Sequence, residues 1–308
     1  MGQALVPRPD GTDVPPEAPG APAAGADVRA SRSRSRVGLA IALPPAAYLV
    51  LLFALPLVIV LVYSFATRGP TGQTLLEGWN LASYARLGNP LVREIVLRSL
   101  GYAALTTVIC LLVAYPFAYF IATRPAGLRN LLLVGVMIPF WSNYLVRTYA
   151  WRVLLSSSGP LSQLTEALGL GPTRLLFTDV AVVIGLVYGY LPFMVLPLYA
   201  AIERVDHTLV EAARDLYASG ARAFWKVTWP LTRPGVIAGS VLVFIPALGE
   251  YVTPEILGGS KTTMLGSYIV RQFLAARDWP FGSALSLVVM TVMLIATAVY
   301  FRIGGRTL

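Results

Sequence analysis

Glu250, in the stretch "PALGEYVTPE", is an acidic side chain about two thirds of the way along an apolar run. An ionisable group at such a place is costly to hold in a membrane, so it marks a solute or ion path unless a partner neutralises it. Arg147 and Arg152, in another apolar run, are the partners that a purely structural role would use. No enzymatic constellation accompanies this carboxylate. The single histidine, His207, has no second His or Cys nearby, and a zinc or thiol centre would have to be built almost wholly from carboxylates. Cys110 is also alone and can make no internal disulfide. The run "GGSKTT", at 258–263, looks at first like a phosphate loop, but Ser260 intervenes before the lysine and Pro254 stands where the first glycine belongs. It reads as a Gly-rich turn. No metal or cofactor is expected in this chain, and any nucleotide that drives it must be bound by another.

The elements that carry these residues follow from composition. Of 308 residues, 56% are hydrophobic and 13% charged, against roughly 45–50% and about 25% in soluble domains. A membrane-crossing helix needs about 20 apolar residues, because lipid offers its backbone no hydrogen bonds. Six such runs lie at about 37–66, 97–123, 131–155, 181–201, 236–256 and 281–303. The expectation is an all-α membrane protein with six transmembrane helices. Pro44, Pro45, Pro56, Pro116, Pro139, Pro192, Pro197 and Pro246 fall inside these runs and should kink the helices. The first run follows "SRSRSR" but is about twice as long as a signal-peptide core, so it reads as an uncleaved span.

Arg32, Arg34 and Arg36, hugging the first span, place the N-terminus in the cytoplasm, and an even number of spans returns the C-terminus to the same side. The net charge of +9 therefore reflects topology, and no nucleic-acid partner is expected. Residues 1–36 read as a disordered, basic cytoplasmic tail, since the first part is rich in Pro, Gly, Ala and Asp and poor in large apolar side chains. Residues 37–308 form the transmembrane domain.

Between the fourth and fifth runs lies a polar cytoplasmic loop at about 204–234, containing "EAARDLYASGARAFWKVTWPLTRPG". Thr208 followed by Glu211 has the spacing of a capping box, in which Glu211 would do no more than start a helix. Leu209, Ala212, Ala213, Leu216 and Gly220 then share one face. Interfacial helices that lie on lipid carry bulky Trp, Phe and Leu, whereas this face is built largely on small residues, which allow close approach of another protein backbone. Docking to a partner protein is the expected role.

This loop resembles the EAA motif of permease subunits of bacterial binding-protein-dependent ABC importers: Glu-Ala-Ala, three residues, Gly, nine residues, Ile, any residue, Leu-Pro. Glu211, Ala212, Ala213 and Pro230 match, and Val227 stands in for Ile. Tyr217 replaces the motif glycine and Trp229 the Leu. The resemblance implies a type I ABC importer permease fold, with a coupling helix that sits in a groove on the ATP-binding subunit and carries its closure to the spans. Glu211, Ala212, Ala213, Leu216, Tyr217, Gly220 and Pro230 are the implied coupling residues. With Tyr217 in place of glycine, Gly220 is expected to supply the break instead, which would lengthen the coupling helix by one turn and let Tyr217 fill part of the groove. The implied partners are two ATP-binding subunits, a second permease subunit and a periplasmic solute-binding protein, at the bacterial inner membrane.

The segments "YLPFMVLPLYAAIERVD", "RTYAWRVLLSSSGPLSQL", "LGEYVTPEILGG" and "QFLAARDWPFGSALS" are similar to the polyamine (spermidine/putrescine) branch of these permeases. A path for a flexible polycation should offer carboxylates and aromatic faces. Glu250 and Tyr251 are the candidates in the fifth run, and Trp141 and Tyr144 in the third; Tyr149 and Trp151 lie at the depth of interfacial anchors. Two alternatives stay open. One is a permease of the same class for an iron chelate, thiamine or an organic anion, and the other is a secondary transporter that needs no ATPase.

Overall fold

The structure, a computed structural model, describes residues 24–304 other than 77, 170, 172–173 and 260–261. By internal packing the chain divides between residues 57 and 58, and the described backbone of the first unit is helix alone. That helix, α1 (Ala24–Ser64), continues into the second unit and leads to a hairpin of β1 (Thr67–Arg68) and β2 (Thr74–Leu75), antiparallel with Thr67 opposite Leu75. Then come α2 (Ala82–Arg86), α3 (Pro90–Ala122), α4 (Ala126–Trp141), α5 (Tyr144–Leu154) and α6 (Pro160–Ala167). The chain goes on through α7 (Asp179–Glu203), α8 (His207–Asp215), α9 (Gly220–Ala223) and, after a π-helical turn at Phe224–Thr228, α10 (Trp229–Gly249). A second π-helical turn, Pro254–Gly258, precedes α11 (Leu265–Leu274) and α12 (Trp279–Gly304).

Among the described residues four helical stretches are long and apolar enough to cross a bilayer: Leu43–Ser64, Pro90–Ala122, Asp179–Glu203 and Gly220–Gly249. α4 and α5 make a fifth if a pair bent by 88° is taken as one span, and α12 is apolar over the shorter Trp279–Ile295. The structure thus gives four or five such spans where the apolar runs suggest six. The run at 131–155 is not one straight helix because Ser142 is extended and Asn143 caps a new helix, its Oδ1 accepting from the N–H groups of Leu145 (2.9 Å) and Val146 (3.3 Å). The run at 236–256 ends early, with Glu250 extended after Gly249. On the other side, the same helix begins far into the expected loop, at Gly220. The tail expected to be structureless through residue 36 is helical from Ala24, where Ala and Arg, both good helix formers, prolong an established helix at little cost. Residues 1–23 of that tail lie outside the described residues.

The core of the second unit is the junction of α3, α7 and α10. Cys110, Ala114, Ala118 and Ile121 of α3 meet Met194, Val195, Leu198 and Ile202 of α7 and Val243 of α10, all buried. Small residues set how closely α10 lies on α7. A Cβ on Gly235 would fall 2.4 Å from the Ala201 Cβ and 2.8 Å from the Pro197 carbonyl oxygen, and one on Gly239 would fall 2.7 Å from the Met194 sulfur. Lipid supplies no hydrophobic drive between helices, so this backbone-to-backbone approach and its dispersion contacts hold the pair together. One buried polar bond joins α3 to α10, between the Tyr115 and Thr232 hydroxyls at 2.8 Å. At the start of α12, Asp278 is buried, with Arg86 at 2.7 Å and Arg68 at 3.8 Å, and it accepts from the Phe281 N–H at 3.2 Å. It ties α2 and the hairpin to α12.

Gly235→Val should force α10 off α7 and destabilise the protein by about 1–3 kcal/mol, as overpacking does. A lowered midpoint of thermal unfolding in detergent is the expected result, with Val236→Ala as a milder control at the neighbouring position.

Candidate functional site: a carboxylate cavity and an exposed loop

Glu250 lies where α10 stops. Its backbone turns to φ −64°, ψ 135°, and its Oε1 accepts from the N–H groups of Tyr251 (3.1 Å), Val252 (2.9 Å) and Thr253 (3.4 Å). The carboxylate thus caps the turn that follows, satisfying donors that no earlier carbonyl reaches. Its other oxygen, Oε2, accepts from the Tyr190 hydroxyl of α7 at 2.6 Å. Two glycines let the chain reverse here. A Cβ on Gly266 of α11 would collide with the carbonyls of Gly249 (2.3 Å) and Glu250 (2.7 Å), and one on Gly185 of α7 with Thr253 (2.8 Å) and Leu257 (2.6 Å).

Beside the carboxylate is a cavity of about 260 Å³ lined by Glu250, Tyr190, Tyr144, Phe140, Phe193 and Arg147, among others. Tyr144 reaches it from the first turn of α5, where the bend at 142–143 brings it over α7, and its hydroxyl lies 2.6 Å from the Thr253 Oγ1. Phe140 meets Phe193 edge-on at 5.1 Å between ring centroids. Gly189 leaves space there, since a Cβ on it would meet nothing within 4 Å. The arrangement joins a carboxylate with an accepting oxygen to four aromatic rings, a set of groups that suits an ammonium donor.

Of the four residues expected on a substrate path, the structure brings Glu250 and Tyr144 together. Trp141, the last residue of α4, is 76% exposed and does not line the cavity, and neither does Tyr251, 47% exposed. Glu250 makes no ion pair with Arg147 or Arg152 among the described residues; its partners include Tyr190, Tyr144 and backbone N–H groups. Tyr190, Phe193 and Phe140 are the lining residues that sequence reasoning missed. The spacing of Gly185 and Gly189, one helical turn apart beside Tyr188, Tyr190 and Phe193, was the available signal.

The polar loop folds differently from the expectation in two respects. α8 is capped by Asp206, whose Oδ1 accepts from the Thr208 N–H at 2.9 Å, so Thr208 is inside the helix and the capping box does not form. α8 also ends at Asp215, with no extra turn. The Ala218 N–H bonds to the Ala213 carbonyl (3.0 Å) and the Tyr217 N–H to the Arg214 carbonyl (2.9 Å), the Schellman closure, with Tyr217 itself at φ +61°. Tyr217 therefore adopts the left-handed conformation at the motif-glycine position, at about 1–2 kcal/mol of local strain. Gly220 is only the first residue of α9, behind the Ser219 cap.

Glu211 and Ala212 are exposed and Ala213 half-buried on α8, while Leu216 is 82% and Tyr217 94% exposed at its end. Pro230 sits in the first turn of α10. Lacking an N–H, it cannot bond the carbonyl four residues back, and the Trp229 N–H just before it reaches five residues back to the Phe224 carbonyl, which makes the π turn. Phe224 meets Trp225 edge-on at 5.3 Å and Trp225 meets Trp229 at a tilt at 5.6 Å, and Tyr115 of α3 touches Phe224 (5.6 Å) and Trp229 (5.5 Å). These ring contacts join the segment after α9 to α3 and α10.

Residues 131–307 match the family described as binding-protein-dependent transport system inner membrane component. The chain is 44% identical over 257 residues to the spermidine/putrescine transport system permease protein PotB of Escherichia coli, covering 83% of this chain and 93% of that protein. It is 42% identical to the PotB of Haemophilus influenzae over the same length, covering 90% of that protein. In fold it is similar to a chain of the bacterial alginate ABC transporter solved in complex with an alginate pentasaccharide-bound periplasmic protein, with a TM-score of 0.72, 16% identity, and coverage of 89% of this chain and 96% of that one. With its apolar helices, its loop of EAA type and this likeness along most of its length, the chain belongs to the family of binding-protein-dependent transport system inner membrane components.

Proposed function

We propose that this chain is a permease subunit of an ATP-driven importer that moves spermidine or putrescine from periplasm to cytoplasm by alternating access. The observation that carries the substrate class is the cavity of Glu250, Tyr144 and Tyr190, in a chain so similar to permeases of the spermidine/putrescine system. Glu250 Oε2 has acceptor capacity beyond the bond from Tyr190. An ammonium placed there gains a charged hydrogen bond, and the rings of Phe140, Tyr144 and Phe193 offer their faces to a second ammonium of the polyamine.

In this reading both termini are cytoplasmic, α10 rises from the cytoplasmic loop, and Glu250 stands near its outer end. Two ATP-binding subunits hydrolyse the nucleotide, a second permease subunit supplies the other half of the pore, and a periplasmic solute-binding protein delivers the solute. The loop at 204–234 couples them. α8 seats on an ATP-binding subunit through Leu216 and Tyr217, whose exposure fits a surface awaiting cover. Closure of that subunit displaces α8, and the block of Phe224, Trp225 and Trp229 passes the displacement to α3 and α10. A second reading, an anionic solute for the same class of permease, draws on Arg147 in the cavity wall.

In a reconstituted complex, Glu250→Gln keeps an oxygen to cap residues 251–253 but removes the charge, and should lower spermidine uptake by about tenfold or more, the size of one lost charged hydrogen bond. Unchanged uptake with intact assembly would take Glu250 off the path, and uptake of an organic anion in place of polyamines would favour the second reading.

Tyr217→Gly relieves about 1 kcal/mol of backbone strain while deleting the side chain offered to the partner. Affinity purification from host membranes should recover less ATP-binding subunit with Tyr217→Gly and almost none with Leu216→Asp, while the permease itself is no less stable. Full recovery in both would relieve this loop of a docking role.

A further inference from the structure

A pore for a polycation has no obvious use for a guanidinium in its wall, yet Arg147 lines the Glu250 cavity. Among the described residues no carboxylate lies within ion-pair distance of it. What holds it is aromatic. Its guanidinium carbon lies 5.3 Å from the ring centroid of Tyr144, 5.7 Å from Tyr188 and 5.8 Å from Phe140, all within the reach of about 6 Å at which a ring face attracts a cation. Its Nη1 donates at 3.0 Å to the Pro139 carbonyl, an oxygen near the end of α4 that also accepts from the Ser142 hydroxyl at 2.7 Å. Phe140 and Tyr144 also line the cavity, whereas Tyr188 does not.

Resting on the cation reading above, we propose that Arg147 is a tethered competitor for the substrate. Its guanidinium occupies the aromatic seat that a substrate ammonium takes, and it swings off when the solute arrives. A guanidinium is weakly hydrated and content against rings, so it fills the seat without the desolvation cost of an ammonium. The side chain is long enough to leave by rotamer change alone. Displacing it asks for a ligand with at least two positive charges, one held by Glu250 and another to take the ring faces. A monoamine or a potassium ion can satisfy only one of these. Arg147 thereby makes the site count charges, and it determines specificity without itself binding the solute.

The test uses the assembled complex, with its partner permease and ATP-binding subunits, in lipid nanodiscs and without the solute-binding protein. Binding of radiolabelled spermidine is measured directly, with butylamine as competitor. Arg147→Gln should bind spermidine roughly tenfold more tightly than wild type and let butylamine compete, as expected when a cation is removed from a ring-lined site. Tyr188→Leu loosens the arginine without touching the cavity lining, so it should also tighten binding, by a few-fold, and it decides the matter if the arginine variant fails to assemble. A complex that takes up spermidine when the binding protein is added, but in which neither variant binds it more tightly or binding stays undetectable, overturns the competitor. A wild-type complex that takes up no polyamine at all instead overturns the proposed function.

Discussion

α10 can lie against α7 at backbone distance only because Gly235 and Gly239 present no side chain to Pro197, Ala201 and Met194. In lipid this contact is a packing energy with no aqueous alternative, so its geometry is sharply set. The placement of Glu250 follows from it. α10 carries the carboxylate at its end, α7 carries Tyr190, and a bond of 2.6 Å between them requires that the two helices hold their separation along their shared length. The Tyr115 to Thr232 bond then fixes α3 against the same pair. One small-residue seam therefore supports both the cavity at one end of α10 and the aromatic block at the other.

Glu250 has two structural duties at once. It caps three backbone N–H groups and anchors Tyr190, so both of its oxygens are hydrogen-bonded within the protein. A carboxylate satisfied in this way stays in place when no solute is bound. The protein thus solves the problem of an unpaired charge with neutral dipoles instead of an arginine, leaving the guanidinium of the neighbouring helix to the rings.

Much of this was legible before any coordinates. The loop motif gave the family, and the lengths of the apolar runs located the helices that became α3, α7 and α12. Glu250 stood out by depth alone. The features that escaped are those in which a polar side chain overrides an apolar pattern. Asn143 starts a helix in the middle of a continuous apolar run, and Glu250 ends one, because each satisfies backbone groups that the helix would otherwise have used. Asp206 displaced Thr208 as a cap by lying two residues earlier with an equally good acceptor. Tyr217 was misjudged because the glycine preference at a left-handed position is an energy of only about 1–2 kcal/mol, which two closing hydrogen bonds outweigh. Trp141, expected on the path for its aromatic face, ends α4 at the bend and lies exposed outside the cavity lining.

The π turn at Phe224–Thr228 sets the phase of everything after it. A helix advances about 100° per residue, so one residue more or fewer in a turn rotates every later side chain by that angle. Counted from Gly220 as an uninterrupted α-helix, Gly235 and Gly239 would face away from α7 by roughly that much. The inserted bond from Trp229 back to Phe224 brings them round. Pro230, at the end of a motif read as a docking signal, is therefore also an indexing mark: it keeps the bulge next to the loop, and so keeps the seam of α10 pointed at its partner helix.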